Sequence, residues 1–490
     1  MRSAVGRIVG TASAFEFEFV VTNPKAVKRG DYIKVWNDAE GWILAQVSEI
    51  LATENTKSAE RGLIGKARVI GKRESGKIIT PSTPFIPGEN VYIAEDSMIA
   101  ETFGFEKEGI YLGLLGDTNV RVTLNPNILV QKHVCILAKT GSGKSYTAGV
   151  IVEELLDRNV PLLIIDPHGE YVSLKKANKI SENEFGVKPK GYADKVVVYA
   201  PPTSPFLSEA DKELSLENRN LSPEELIELS NLRSPSAQAL LYQAMRELED
   251  YTISDIIREV EKTRHSGKWT LIGALSKIES SGLFKDKPTD VRELMRRGKA
   301  SIIDLRGIEP TYQALIVSRI TSKLFELRKR GEVEPGMIVV EEAHNFVPER
   351  EKAVSTNALR AIASEGRKFG LGLMVISQRP ARVDKNVISQ CNTQIIMRVT
   401  NPNDLNAIKK GIEGITSEMI EEVKRLPPGY AVVVSSGIDM PIVVRIRVRK
   451  SAHSEAVKVV ESEEVEEIAK KSPDSEEKRR GFFSKIFRRG

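Results

Sequence analysis

A chain of 490 residues, 41% hydrophobic and 28% charged, holds enough apolar sequence for about two to four folded units and is neither disordered nor fibrous. Its net charge of +5 permits a nucleic-acid partner without requiring one. Two cysteines in apolar runs, five scattered histidines, no apolar signal core and no run near the ~18 apolar residues of a membrane span argue against disulfides, a structural metal, secretion and a membrane location. A reducing cytoplasm fits.

The first 97 residues read as β. Glu16–Val21, Tyr32–Trp36, Trp42–Val47, Ala67–Ile70 and Val91–Ala94 are short strands separated by turn signals such as Lys28-Arg29-Gly30-Asp31. Strands at this spacing suggest a small N-terminal barrel with an assembly or partner-binding role. A connector is expected over 98–128.

The next stretch organises the rest. The apolar run His133–Leu137 leads into Ala138-Lys139-Thr140-Gly141-Ser142-Gly143-Lys144-Ser145, and Tyr146–Leu156 follows with helical periodicity. Strand, Gly-rich loop and helix in that order are what a phosphate-binding loop requires. Successive backbone N–H groups turn toward the phosphate, and the helix adds the positive end of its dipole. Thr140, Gly141, Ser142, Gly143, Lys144, Ser145 and Tyr146 are the candidate nucleotide ligands, for ATP with Mg²⁺. Lys144 would reach the β- and γ-phosphates and the Ser145 hydroxyl would hold the metal. Ala138 replaces the usual first glycine, which only closes the turn.

The run Pro161–Asp166 is a continuous apolar strand ending in an acid, as in parallel sheets covered on both faces. The polar loop Asp166–Tyr171 then lies at a strand's C-terminal end, where open parallel sheets place their ligand crevice. Residues 205–295 lack strand signals and read as a helical insertion, with Ser222 and Pro223 as helix cap and first-turn proline. Strands resume at Ala300–Leu305, Gly336–Val340, Gly372–Gln378 and Gln394–Val399. Tyr430–Val434 and Ile442–Val448 complete a sheet edge. The fold class is therefore α/β: a P-loop NTPase (RecA-like) parallel-sheet motor domain over 129–204 and 296–450, with the N-terminal β-barrel, the helical insertion and a charged C-terminal tail over 451–490. The basic, apolar end Lys478–Gly490 suits a partner, DNA or an acidic surface, or is a solvated tail.

Hydrolysis needs more than a phosphate loop. Glu341 and Glu342 end an apolar strand. The first would face the metal shell with Ser145, and the second would face the attacking water. Gln378, ending the next strand, can sense the γ-phosphate. Arg367, at a helix end after Gly366, is the candidate for an arginine reaching a neighbouring subunit's site, with Arg379 and Arg382 as competitors. The run Glu341-Glu342-Ala343-His344 is also like the acidic box of two-lobed helicases, but no second motor lobe follows. A zinc-protease reading lacks its second histidine.

Taken together, Lys139–Ser145, Asp166–Tyr171, Glu341–Phe346, Glu365–Gly370 and Ser377-Gln378-Arg379-Pro380 resemble, in this order, the archaeal HerA family of hexameric DNA translocases. The resemblance spans nearly the whole chain. It implies a homo-hexameric, ATP-driven ring around double-stranded DNA that works with a NurA-type nuclease to resect double-strand breaks. It further implies Lys144 and Ser145 as nucleotide ligands, Glu342 as catalytic base, Arg367 as the trans-acting arginine and Asp166 as an acid of the active-site crevice. Lys132 falls on a basic nucleotide contact of the family, and the charged tail on a brace onto a neighbouring subunit. Arg379, Arg382 and Lys385 are candidate DNA contacts in the channel. Two competing readings remain: a conjugation or secretion ATPase at a membrane, and an ATP-switched clamp that holds DNA or recruits a nuclease without sustained translocation.

Overall fold

The computed structural model describes residues 3–54, 61–180, 183–246, 248–350, 352–412 and 414–453. Two sheets organise them. The smaller begins with Gly6–Val9 and Glu16–Val21, which alternate buried and exposed side chains as one-sided strands do. With Tyr32–Asn37, Gly41–Glu54, Arg61–Glu74 and Asn90–Ile93 they form a closed six-stranded barrel, because Glu16–Val21 pairs at its other edge with Arg61–Glu74. Phe17, Phe19, Ile33, Val35 and Ile43 fill its interior. Two of these strands reach 14 residues each, well past the short apolar cores visible in sequence.

The larger sheet has twelve strands. Its parallel part runs Lys212–Glu213, Val196–Ala200, Ala300–Asp304, Leu162–Asp166, Gly336–Val340, Leu371–Ser377, Val134–Leu137, Thr393–Ile396. Every residue of Leu162–Asp166, Gly336–Val340 and Leu371–Ser377 is buried, the reason these strands are apolar throughout. Helices Lys144–Asp157, Pro310–Lys329 and Thr356–Phe369 pack onto the sheet. The two central clusters of buried residues divide by the side of the sheet each strand residue faces.

Beyond Thr393–Ile396 the sheet turns antiparallel through Tyr430–Ser435 and Ile438–Ile446. These two do not end it. Ile110–Leu115 and Arg121–Leu124, within the stretch expected to be a connector, add two further strands, with Val444 opposite Leu115.

Residues 205–295 carry helices Pro223–Ser230, Pro235–Met245, Ile253–Glu261 and Lys268–Ser280. Ser222 caps the first in a reciprocal box with Glu225, and Pro223 opens it, as the sequence predicts. The expectation of no strands there is corrected. Lys212–Glu213 joins the large sheet, and Leu216–Glu217 pairs with Phe284–Lys285. Two-residue strands are too short to show a period in sequence.

The described chain does not fray at residue 450. Arg447, Arg449 and Ser451 are fully buried along helix Lys144–Asp157. Arg447 pairs with Glu153 at 3.0 Å and Glu154 at 3.1 Å, and Lys450 pairs with Glu154 and Asp157. Gly149 makes this possible: a Cβ there would stand 2.7 Å from the Arg449 guanidinium carbon. The rest of the expected tail, from Ser454 on and including Phe482-Phe483, lies outside the described residues.

Candidate nucleotide-hydrolysis site

The loop 138–143 sits at the C-terminal end of Val134–Leu137, between the ends of its two parallel neighbours. Ala138 donates its N–H to the Ser377 carbonyl, and Lys139 to that of Arg398, which fixes the loop's entry. Ala138 is fully buried and is not among the residues with positive φ, so the missing glycine costs no strain. Gly141 and Gly143 do adopt left-handed φ, 77° and 96°, and Gly143 is the residue before the helix. Lys139, Thr140 and Gly141 are exposed, while Ser142, Lys144 and Ser145 are buried. The helix that follows leaves its first N–H groups aimed at the loop.

Both carboxylates reach this loop. Lys144 Nζ lies 2.5 Å from Glu341 Oε1 and 3.0 Å from Glu342 Oε1. The Ser145 hydroxyl donates to Glu341 Oε1 at 3.1 Å, and the Tyr171 hydroxyl donates to Glu341 Oε2 at 2.8 Å. Glu341 is wholly buried, and burial raises its pKa. Burial also works against the Lys144 ammonium, but Glu341 and Glu342 outweigh it and hold that pKa above its ordinary value.

Glu342 differs from Glu341. Its backbone is left-handed, φ 49° and ψ 46°, which swings the side chain off the strand line. A carboxylate residue held there carries strain of a kind concentrated at functional sites. Oε2 of Glu342 is buried and has no hydrogen-bond partner among the described residues. An unpaired carboxylate oxygen beside a phosphate loop is fitted to accept a proton from a water.

Gln378 Oε1 accepts a hydrogen bond from the Thr140 hydroxyl, which joins the end of Leu371–Ser377 to the phosphate loop. Asp166 acts differently from the acid the sequence suggests. Its Oδ1 accepts the N–H groups of His168, Gly169 and Glu170, and its Oδ2 accepts that of Tyr171. Burial pushes its pKa up to about 7, against those four donors. Asp166 therefore shapes the loop that delivers Tyr171 to Glu341. Tyr171, fully buried, is a site residue that the sequence reading quoted without giving it a role. His344 and Ser377 are two more, 3.1 Å apart beside Glu342. Tyr146 faces the C-terminal run, with its hydroxyl accepting the Arg449 N–H at 2.8 Å and its ring edge-on to His453.

Two expected site residues are not brought to this loop. Lys132 precedes Val134–Leu137, and Arg367 precedes Leu371–Ser377. Both stand at the N-terminal ends of these central strands, opposite the phosphate loop and about 13 Å of strand or more away. Neighbouring Gly366 and His133 are in close approach there.

Arg379, Arg382 and Lys385 are exposed on the loop after Gln378. With Lys139, Arg350, Lys352 and Lys410 they line a crevice of ≈ 2120 Å³ that also contains Thr140, His344 and Gln378. Glu228, Glu349 and Asp404 are the acids in its wall, and Glu349 pairs with Lys385 at 2.5 Å. The crevice is basic on balance and open to the phosphate loop.

Residues 110–324 match the family model described as the central domain of helicase HerA, and residues 5–75 match the HAS barrel domain. Over these two stretches the chain is similar to HerA-type helicases. A probable DNA double-strand break repair helicase HerA from Methanocaldococcus jannaschii is 28% identical, over 90% of this chain and 95% of that one. The DNA double-strand break repair helicase HerA of Pyrococcus furiosus is also 28% identical, over 91% and 92%. VirB4 of Thermoanaerobacter pseudethanolicus shares the fold at a TM-score of 0.50 and 17% identity, over 70% of this chain and 97% of that structure. Among the described residues no helix is long and apolar enough to cross a membrane.

Proposed function

We propose that this chain is an ATP-hydrolysing DNA translocase of the HerA type, acting as a homo-hexameric ring on double-stranded DNA. The observation that carries the reading is the buried carboxylate of Glu342: its Oε1 lies 3.0 Å from Lys144 Nζ, while its Oε2 makes no hydrogen bond among the described residues and is open to a water beside a phosphate-binding cation. Backbone N–H groups of 141–145 and Lys144 bind the ATP phosphates, and Glu342 takes the proton of the attacking water. Ser145 and Glu341, already oxygen to oxygen at 3.1 Å, form a donor set that fits Mg²⁺, which when bound would neutralise phosphate charge. Gln378 follows the γ-phosphate through Thr140. Lys132 and Arg367, at the strand ends away from their own loop, serve a neighbour's site.

The basic crevice suits phosphate contacts, so DNA binding is sequence-neutral and weakens with salt. Arg379, Arg382 and Lys385 make those contacts. The barrel over 1–97 serves assembly or a partner, which we take to be a NurA-type nuclease at double-strand break ends in the cytoplasm. The charged segment from 451 onward braces subunits. The test is ATP turnover with and without blunt duplex DNA, alongside mass in solution. Six-subunit mass and DNA-stimulated turnover that Glu342→Gln abolishes, with nucleotide binding retained, are expected. A monomer whose turnover ignores DNA would overturn the reading.

A further inference from the structure

One imidazole nitrogen faces two oxygens. His344 Nδ1 is 3.1 Å from Ser377 Oγ, to which it is hydrogen-bonded with the direction set by the ring's tautomer, and 3.3 Å from Glu342 Oε2, to which it is not. The second oxygen is the same one that otherwise makes no hydrogen bond; with the proton on Nδ1, the ring has one donor for both. Ser377 has another bond: its Oγ accepts the N–H of Arg379 at 3.0 Å. Arg379 opens the exposed basic loop that continues to Arg382 and Lys385. An unbroken line of contacts therefore runs from the basic crevice, through Arg379 and Ser377, to His344 and Glu342.

We propose that His344 is a positioning residue that couples DNA contact to the readiness of Glu342. This rests on the reading of Glu342 as the base. With Ser377 held in place by Arg379, the Nδ1–H points to Ser377, and Glu342 Oε2 is left to accept a proton from water. When the basic loop releases Ser377, the same N–H turns to Oε2, 3.3 Å away, and occupies it. A single donor with two acceptors at nearly equal distance makes a two-state element, and a small movement of the loop selects between the states. No bond is made or broken; one hydrogen bond changes partner.

The arrangement predicts opposite effects for its two ends. His344→Ala removes the donor that can occupy Glu342, so turnover without DNA rises toward the DNA-stimulated rate. Ser377→Ala leaves the donor only Glu342, so the DNA-stimulated rate falls, by on the order of 10- to 100-fold as expected for a misplaced base. In the double variant the donor is gone, and behaviour follows His344→Ala. Full-length protein is assayed for ATP turnover with and without blunt duplex DNA. Binding of a fluorescent non-hydrolysable ATP analogue shows that each variant retains its site. Opposite shifts in the two single variants, with His344→Ala dominant, support the coupling. Equal losses in both, or a stimulation ratio retained in Ser377→Ala, overturn it. Should His344→Ala fail to bind the analogue, Ser377→Ala alone decides. Glu342→Gln is run in parallel: if it keeps turning over ATP, the base assignment is what fails.

Discussion

Lys144 Nζ is in contact with Glu341 Oε1 at 2.5 Å, so the cation of the glycine-rich loop is bonded to the acid that ends the next strand but one of the sheet. If Lys144 binds phosphate as proposed, it must come off Glu341, and that movement would free the proposed metal donors as well. Lys144→Ala is therefore expected to do two things: abolish nucleotide binding and, by leaving Glu341 and Glu342 buried without a cation, destabilise the fold by about 3 kcal/mol. Denaturant melts of the nucleotide-free protein measure the second effect. Adding Glu341→Gln to Lys144→Ala should restore part of the stability and none of the binding.

Arg367 is exposed near the N-terminal end of Leu371–Ser377, away from its own phosphate loop. If it completes a neighbour's site, Glu342→Gln and Arg367→Ala proteins are each inactive alone. Mixed and reassembled, they form some interfaces with Glu342 from one chain and Arg367 from the next. Turnover should then reappear, with a maximum near equal proportions. Mixtures as inactive as their components would remove Arg367 from this role.

Arg447 and Glu153 are both fully buried, and Arg447 also bonds Glu154. Arg447→Ala leaves two acids of the phosphate-loop helix without this cation, at an expected cost of about 3–5 kcal/mol. Lys424→Ala, which breaks only an exposed pair with Glu421, should leave the midpoint nearly unchanged. Thermal midpoints of the two variants against wild type make the comparison.

His133 is buried with a left-handed backbone, and its Nδ1 accepts the Leu373 N–H at 2.9 Å, which requires a neutral ring. Burial lowers its pKa to about 4. A group whose folded pKa lies below its unfolded value stabilises above the unfolded value and loses that contribution as pH falls. The loss should run from about pH 6.5 down to about 4 and amount to about 3 kcal/mol. His133→Asn keeps an acceptor and tolerates the positive φ, so its stability should fall less over that window. Parallel melting curves for the two proteins would show no Asn advantage at acid pH if His133 is not the group involved.

Residues that report on themselves were legible in the sequence. Leu162–Asp166 and Leu371–Ser377 are apolar on both faces because both faces are covered, and Gly143-Lys144-Ser145 can hardly serve another geometry. What depended on distant partners was hidden. Ile110–Leu115 reads as a loose apolar stretch, since the strand it pairs with is Ile438–Ile446. Asp166 announces an acid but not that four following N–H groups surround it. Arg445, Arg447 and Arg449 alternate with Ile446 and Val448, a period that suggests a strand with one wet face. Arg447 and Arg449 are instead turned inward, onto acids that themselves look like the polar side of a helix. Ala138, which replaces the usual glycine, sits there without strain because that position does not take a positive φ.

The contact between Glu153 and Arg447 joins residues 294 positions apart. During synthesis the helix behind the phosphate loop leaves the ribosome long before Arg447 does, with Glu153 still in want of its cation while Glu154 already has Arg158 four residues on. Contacts of such sequence separation are slow to form, and the species that wait for them are prone to stray. The back of this helix is thus sealed only after almost all of the described polypeptide has emerged.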